Sequence, residues 1–260
     1  MNITFDKYIE NPSGSTMVWT FKDMYKKLYM EKYGKTILRE SGKMKFDIYY
    51  DKKKTEFYIH LKVPSEVVEK FYYDVVIKFY TDNQAIKNSL NLRKFYVKFF
   101  SNDPRFVYTF AYSFLKNDFF VRECLPRMSK KAVKKAAIEK NPKNEIGYVK
   151  SLYFAYLYMK DNSLFNGSTY IRYGKPYSQK ELIKNIMDSE KKVELREESE
   201  KEIQKKKRLE KQKSKRQTKE KERRETLLNH TDQFNKGKTI NTKKTKTVNF
   251  SKVSNKSKKI

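Results

Sequence analysis

Hydrophobic and polar residues alternate along four stretches in the first hundred residues. The alternating stretches are KFDIYY (45–50), EFYIHLKV (56–63), FYYDVVIKFY (71–80) and KFYVKFF (94–100). Alternation with a period of two residues predicts β-strands that each bury one face. The polar run DKKKT between the first two stretches predicts a hairpin turn, and Pro64 ends the second strand. We therefore expect a small antiparallel sheet of about four strands with helices packed on its apolar face.

The stretch SNDPRFVYTFAYSFLKND (101–118) has two interpretations. As a strand it would present a ladder of five rings on which nucleic-acid bases can stack, at Phe106, Tyr108, Phe110, Tyr112 and Phe114. As a helix, Asn102 or Asp103 caps its start, Pro104 fits the first turn, and the rings at 106, 110 and 114 form one buried row. The cap and the small residues favour the helix, with these three rings in the core.

Three further helices are predicted before residue 175. A first helix follows a cap at Thr20 and ends at Gly34, with apolar residues at helical spacing at Phe21, Met24, Tyr25 and Leu28. Ser129 caps a short basic helix, KKAVKKAAIEK. The stretch NPKNEIGYVKSLYFAYLYMKDN (141–162) predicts a third helix with one apolar side. Together with the four strands, these helices indicate an α+β fold.

The pattern changes after Pro176. Residues 178–228 contain no aromatic residue, glycine or proline, and their apolar positions keep no heptad, so we expect one long, solvated helix. The last stretch is rich in Lys, Thr, Asn and Ser and has too little apolar surface to fold. The predicted organisation is a globular α+β domain over 1–175, a highly charged helical arm over 176–230, and a disordered basic tail over 231–260.

The charge of the chain is strongly basic, with 60 lysines and arginines against 31 acidic residues and a net charge of +29. Such an excess indicates a polyanionic partner, although an AT-rich genome also encodes lysine-rich proteins that bind nothing through their charge. Residues 201–224 alone hold 13 lysines and arginines against four glutamates. They predict an arm that neutralises phosphates without reading bases; the alternative is a merely solvated helix. The candidate contacts are Lys205, Lys206, Lys207, Arg208, Lys211, Lys213, Lys215, Arg216, Arg223 and Arg224.

The outward face of the predicted sheet is a second candidate nucleic-acid surface. If the apolar residues point inward, basic and aromatic residues interleave on the other face, as in several proteins that bind single strands. The candidates are Tyr58, His60, Lys62, Lys78, Tyr96 and Lys98. The alternative is that a second layer of structure covers this face.

Signals for catalysis or for a cofactor are weak. His60 and His230 are the only histidines, and no cluster has convincing metal-ligand spacing. Cys124 is the single cysteine, so no intrachain disulfide forms. Asp47, Glu56 and Lys62 only loosely suggest a nuclease, and YGKT (33–36) lacks the first glycine of a phosphate-binding loop. We expect a non-enzymatic protein that needs no cofactor, has no signal peptide and crosses no membrane.

The stretches FFSNDPRFVYTFAYSFLKND and KNPKNEIGYVKSLYFAYLYMKDN resemble uncharacterised structural proteins of tailed bacteriophages from AT-rich hosts. The resemblance covers about residues 100–162 and rests on an SNDP turn before an aromatic helix and an NP turn before a second helix. It implies a virion or assembly component, found in the virion or the host cytoplasm. Other virion proteins are then the expected partners, and homo-oligomer formation stays open. The competing hypothesis is a nucleic-acid-binding protein, associated with RNA, that uses the sheet face.

Overall fold

A computed structural model describes residues 2–10, 26–27, 30–31, 44–53, 55–65, 68–147 and 149–238, and the side chains of the last helix as far as residue 228. The predicted helix between Thr20 and Gly34 lies outside the described residues, apart from four helical positions within it. The predicted tail also lies outside them from residue 239 onward.

The predicted α+β class is confirmed. The strands are β1 (Lys45–Tyr50), β2 (Glu56–Pro64), β3 (Tyr72–Tyr80), β4 (Tyr96–Ser101) and β5 (Lys175–Pro176). They form one sheet in the order β4-β3-β2-β1-β5, antiparallel throughout except that the short β5 runs parallel to β1. The hairpin between β1 and β2 is organised by Asp51, whose carboxylate accepts hydrogen bonds from the backbone N–H groups of Thr55 and Glu56.

Ten helices and helical turns precede the long last helix in the described part of the chain. They are α1 (Phe5–Glu10), α2 (Gln84–Ser89), a 3₁₀ turn (Leu92–Lys94), a π-helical turn (Phe106–Phe110) that continues as α3 (Ala111–Lys116), a 3₁₀ segment (Arg122–Arg127), α4 (Lys130–Lys134), α5 (Lys150–Asp161), α6 (Gly167–Tyr173) and α7 (Gln179–Lys184), and the last helix is α8 (Ser189–Lys238). The chain divides into two compact units, Met1–Lys201 and Glu202–Ile260. No helix in the described part of the chain is long and apolar enough to cross a membrane.

The first face of the sheet carries the main aromatic core. Alternate residues of β2, β3 and β4 are fully buried there, as the alternation predicts. The ring of Phe5 in α1 lies 5.0 Å from that of Phe99, and the ring of Tyr8 lies 4.8 Å from it. The ring of Phe114 in α3 contacts Phe99 from the same side. Helices therefore cover the face that the sequence pattern marks as apolar.

The aromatic stretch after β4 is helical, as the cap predicts. The Asp103 carboxylate accepts a hydrogen bond from the N–H of Arg105, which caps the start of the helix. Phe106, Phe110 and Phe114 are all buried, and the strand interpretation is therefore wrong. The ring of Phe110 lies where a Cβ on Gly147 would have to be, so glycine is needed there for close approach.

Two predicted helices are shorter than expected. The basic helix capped by Ser129 ends at Lys134, and the next helix begins at Lys150 rather than near residue 141. Asn141 explains the intervening loop, because its buried side chain accepts a hydrogen bond from the N–H of Glu145 and donates to the carbonyl of the same residue. An asparagine that bonds its neighbouring backbone in this way competes with a helix.

The long C-terminal helix is confirmed, but it begins at Ser189 and not directly after Pro176. Asp188 caps it, since its carboxylate accepts a hydrogen bond from the N–H of Glu190. The N–H of Met187 donates to the Asp74 carboxylate on β3, so the backbone here bonds to the sheet instead of continuing α7. The first compact unit reaches Lys201 and thus extends beyond the predicted 1–175 domain.

Candidate nucleic-acid interface

The second compact unit contributes the exposed part of α8. From Glu202 to Leu228 every side chain is exposed except that of Ile203, which is half-buried. All ten basic residues predicted for the arm are therefore at the surface. Leu209, an apolar residue in the middle of this segment, has 49% of its surface exposed. A helix that is polar on all sides buries no stripe of its own within this segment.

The electrostatics of this segment are those of a charged rod. Residues 201–224 carry a net charge of +9 and, at 1.5 Å per residue, extend about 35 Å along the helix axis. Glu220 forms an ion pair with Arg224, with 2.9 Å between the Glu220 Oε1 and an Arg224 guanidinium nitrogen. Such an exposed pair is worth only about 0.3–0.5 kcal/mol and does not neutralise the segment. The geometry can therefore attract a polyanion along its whole length.

The second face of the sheet differs from the open platform predicted for it. Tyr58 and His60 are each 1% exposed. The ring of Tyr58 stacks on that of Tyr177, with their centroids 4.2 Å apart, and the ring of Phe100 contacts Phe120. The covering residues come from two segments, 119–129 and 177–193, which together form a second layer. Since bases cannot stack on covered rings, Tyr58 and His60 do not form the expected surface.

The lysines of this face are engaged by carboxylates. Lys78 has only 13% of its side chain exposed, and its ammonium nitrogen lies 2.9 Å from carboxylate oxygens of both Glu56 and Glu123. The Tyr58 hydroxyl donates to the same two carboxylates. Its oxygen lies 2.7 Å from Glu56 Oε2 and 3.0 Å from Glu123 Oε1. Burial and these carboxylates raise the pKa of the Tyr58 hydroxyl well above its ordinary value. Two carboxylates compensate the single ammonium group of Lys78, so this lysine is not available to phosphates.

The remaining candidates on this face are Lys98, Tyr96 and Lys62. Lys98 pairs with Asp118, with 2.7 Å between ammonium and carboxylate. Tyr96 is half-buried beside Tyr80, with 5.8 Å between their ring centroids. Lys62 has 45% of its side chain exposed, and its ammonium nitrogen lies 4.0 Å from a carboxylate oxygen of Asp74. These three side chains are accessible in part, but they do not form a continuous aromatic and basic surface.

A buried polar cluster lies on the second face near the start of β3, and the sequence analysis missed it. The Asp74 carboxylate accepts hydrogen bonds from His60 Nε2 at 2.9 Å, from the Asn102 amide at 2.8 Å and from the N–H of Met187 at 3.3 Å. Burial by itself would raise the pKa of Asp74, but the hydrogen bonds from His60 and Asn102 outweigh it and the pKa is lowered. Asp74 interrupts an apolar strand, and this is the signal that could have identified it.

The candidate catalytic residues are either buried or paired with other charged side chains. Cys124 is buried, and burial raises the pKa of its thiol well above the ordinary value. A carboxylate oxygen of Asp47 lies 3.7 Å from the ammonium nitrogen of Lys175, and Glu56 forms an ion pair with Lys78. Within the described residues no group of three or more His, Cys, Asp or Glu side chains is arranged to hold a metal ion. The YGKT stretch lies outside the described residues.

Comparisons with protein-family models, with curated proteins and with solved structures gave no match.

Proposed function

We propose that this protein binds DNA non-specifically through the exposed part of α8, as a non-enzymatic virion or assembly component of a bacteriophage. Exposure of the basic residues is the observation that carries the DNA-binding proposal. All ten predicted contacts are at the surface of one continuous helix, whereas lysines of the sheet face are paired with carboxylates. Contacts made by surface lysines and arginines release condensed counterions and do not depend on base sequence.

The alternative, a protein that holds RNA on the sheet face, receives less support. Tyr58 and His60, two of the residues on which that surface would depend, are buried. Partial exposure of Lys62 favours phosphate contact at most at one point of that face.

Deleting residues 202–260 tests the proposal. The full-length chain should bind a mixed-sequence duplex with an affinity that falls steeply between about 50 and 200 mM salt, because each neutralised phosphate contributes about −0.9 to the slope of log K against log salt. The truncated chain, which keeps residues 1–201, ends at the boundary of the first compact unit. It should remain folded by circular dichroism while its salt slope becomes nearly flat in fluorescence anisotropy.

A scrambled duplex of equal length is the matched ligand control and should bind equally well. A full-length chain that ignores both duplexes at 50 mM salt would refute DNA binding through the arm. If the truncated chain binds as tightly as the full-length chain, the interface lies in the first unit.

A further inference from the structure

The basic residues of the exposed helix are not spread evenly around its axis. At 3.6 residues per turn, six of them project within a sector of about 100°. These six define the acid-free stripe, and they are Lys205, Arg208, Lys215, Arg216, Lys219 and Arg223. All six side chains are exposed. The stripe is about 27 Å long, less than one turn of a DNA duplex.

Every acidic residue of this helix segment lies outside the stripe. Helical geometry places Glu202 and Glu220 beyond one border, Glu222 beyond the other, and Glu210 and Glu225 on the remaining surface. The basic residues outside the stripe are therefore interleaved with carboxylates. Arg224 is the clearest example, because it forms an ion pair with Glu220. None of the six stripe residues forms an ion pair with another described residue.

The stripe also concentrates like charges on adjacent turns. Lys215 and Lys219 are four residues apart, as are Lys219 and Arg223, while Lys205 and Arg208 are three apart. Like charges at these spacings repel one another and disfavour the isolated helix. A line of phosphates placed along the stripe would relieve this repulsion. Binding to the stripe and helix stability should therefore be coupled.

From these observations we propose that the acid-free stripe is the face of the helix that contacts nucleic acid, and that its preferred partner is the phosphate backbone of a duplex. This inference rests on the proposed function and adds the face and the strandedness to it. The basic residues project from a regular helix with fixed spacings, and a duplex presents phosphates that are likewise held at fixed spacings. A flexible single strand can follow scattered charges on any side of the helix and gains less from one ordered row.

Two full-length variants with the same change in charge test the choice of face. The stripe variant carries Lys205→Gln, Lys215→Gln, Lys219→Gln and Arg223→Gln. The matched control carries Lys206→Gln, Lys213→Gln, Lys221→Gln and Arg224→Gln, all outside the stripe. Each removes three lysines and one arginine, and all eight side chains are exposed. Binding of a labelled 24-base-pair duplex is followed by fluorescence anisotropy between 50 and 200 mM NaCl.

Removal of four contacts should lower the magnitude of the salt slope by about 3.6 in the stripe variant, which is about 0.9 for each lost contact. The control should lose less than about 1 on the same scale. The unmodified chain should bind the duplex at least tenfold more tightly than a single strand of the same length. Addition of the duplex should also increase the helical circular dichroism signal, and the increase should be larger for the unmodified chain than for the stripe variant.

Equal losses in both variants would overturn the stripe as the binding face and leave DNA binding by total charge intact. Single-strand binding as tight as duplex binding would overturn the choice of partner. If the unmodified chain binds polyglutamate but not the duplex, both this inference and the proposed function fail, and the arm binds an acidic protein instead.

Discussion

Asp74 shows how one buried residue holds two layers of the structure together. Its carboxylate lies on β3, yet it accepts hydrogen bonds from β2 through His60 and from the chain before α8 through the N–H of Met187. Asn102 completes the cluster by donating both to Asp74 and to the Met187 carbonyl. A buried carboxylate without these partners would be strongly destabilising, so the cluster fixes where the second layer attaches.

The lowered pKa of Asp74 predicts a specific pH dependence of stability. Because the folded-state pKa lies below the unfolded value, the unfolded chain binds the proton more readily. The contribution of Asp74 is complete above the ordinary carboxyl pKa of about 3.9 and is lost as pH falls through the folded-state value. At pH 7, Asp74→Asn should lower the free energy of unfolding by about 1–3 kcal/mol in urea denaturation.

The difference between the unmodified chain and Asp74→Asn should shrink when the same denaturation is repeated towards pH 3. Asp82→Asn, at an exposed position, is the control and should change little at any pH. A deficit for Asp74→Asn that stays constant from pH 7 to pH 3 would contradict the role given to the ionised carboxylate.

At the scale of elements, the segment 177–193 belongs to the fold of the first unit. Leu182, Ile186 and Val193 are buried, with 0%, 2% and 6% of their surfaces exposed. Full burial of such side chains contributes roughly 1.5–3 kcal/mol each. This sum is a large part of the roughly 5–15 kcal/mol that stabilises an ordinary domain. The segment is therefore a structural layer as well as the connection to the arm.

Two truncations test this assignment. A chain ending at Lys201 should unfold cooperatively in urea and bind little of the hydrophobic dye ANS. A chain ending at Pro176 should lose cooperativity and bind ANS, because Tyr58 would lose the ring of Tyr177 and Asp74 would lose its hydrogen bond from Met187. Equal stability of the two truncated chains would instead place the domain boundary at residue 176, as the composition alone suggests.

Some elements of this fold can be predicted from local sequence signals, and one interruption between helices cannot. The strands and the aromatic helix follow from local signals, namely alternation and a cap at Asp103. The interruption before Ser189 has a weak local signal, because Asp188 stands in a stretch otherwise typical of a helix. Its decisive cause is the bond from Met187 to Asp74, which is 113 residues away. Local patterns do not report such a partner.

At the scale of the whole molecule, the basic charge is concentrated towards the C-terminus. Residues 202–260 hold 21 lysines and arginines against six acidic residues, about half of the total excess in less than a quarter of the chain. A region of this kind is suited to attract a polyanion at long range, an effect that salt weakens.

The proposed place in a virion makes a separate prediction for the whole molecule. If the chain is a structural component, mass spectrometry of gradient-purified particles should recover peptides of the first unit at a constant ratio to the capsid protein. Peptides that remain in the host lysate and are absent from the particles would exclude a structural role and leave an assembly role. The measurement does not depend on the arm, so it separates the virion proposal from DNA binding.

The strands, the aromatic helix and the exposed basic helix can be predicted from residue patterns, because each depends on spacing within a few turns or on local charge density. A helix with no apolar stripe gains nothing by packing on a core, so the exposure of the candidate arm residues could be predicted. Burial of the second sheet face, in contrast, depends on long-range packing. Tyr58 and Lys78 have the pattern of an open surface, and they are covered because Tyr177 and Glu123 arrive from distant parts of the chain. Burial of an outward-facing residue depends on such long-range packing, which the period of a single strand does not encode.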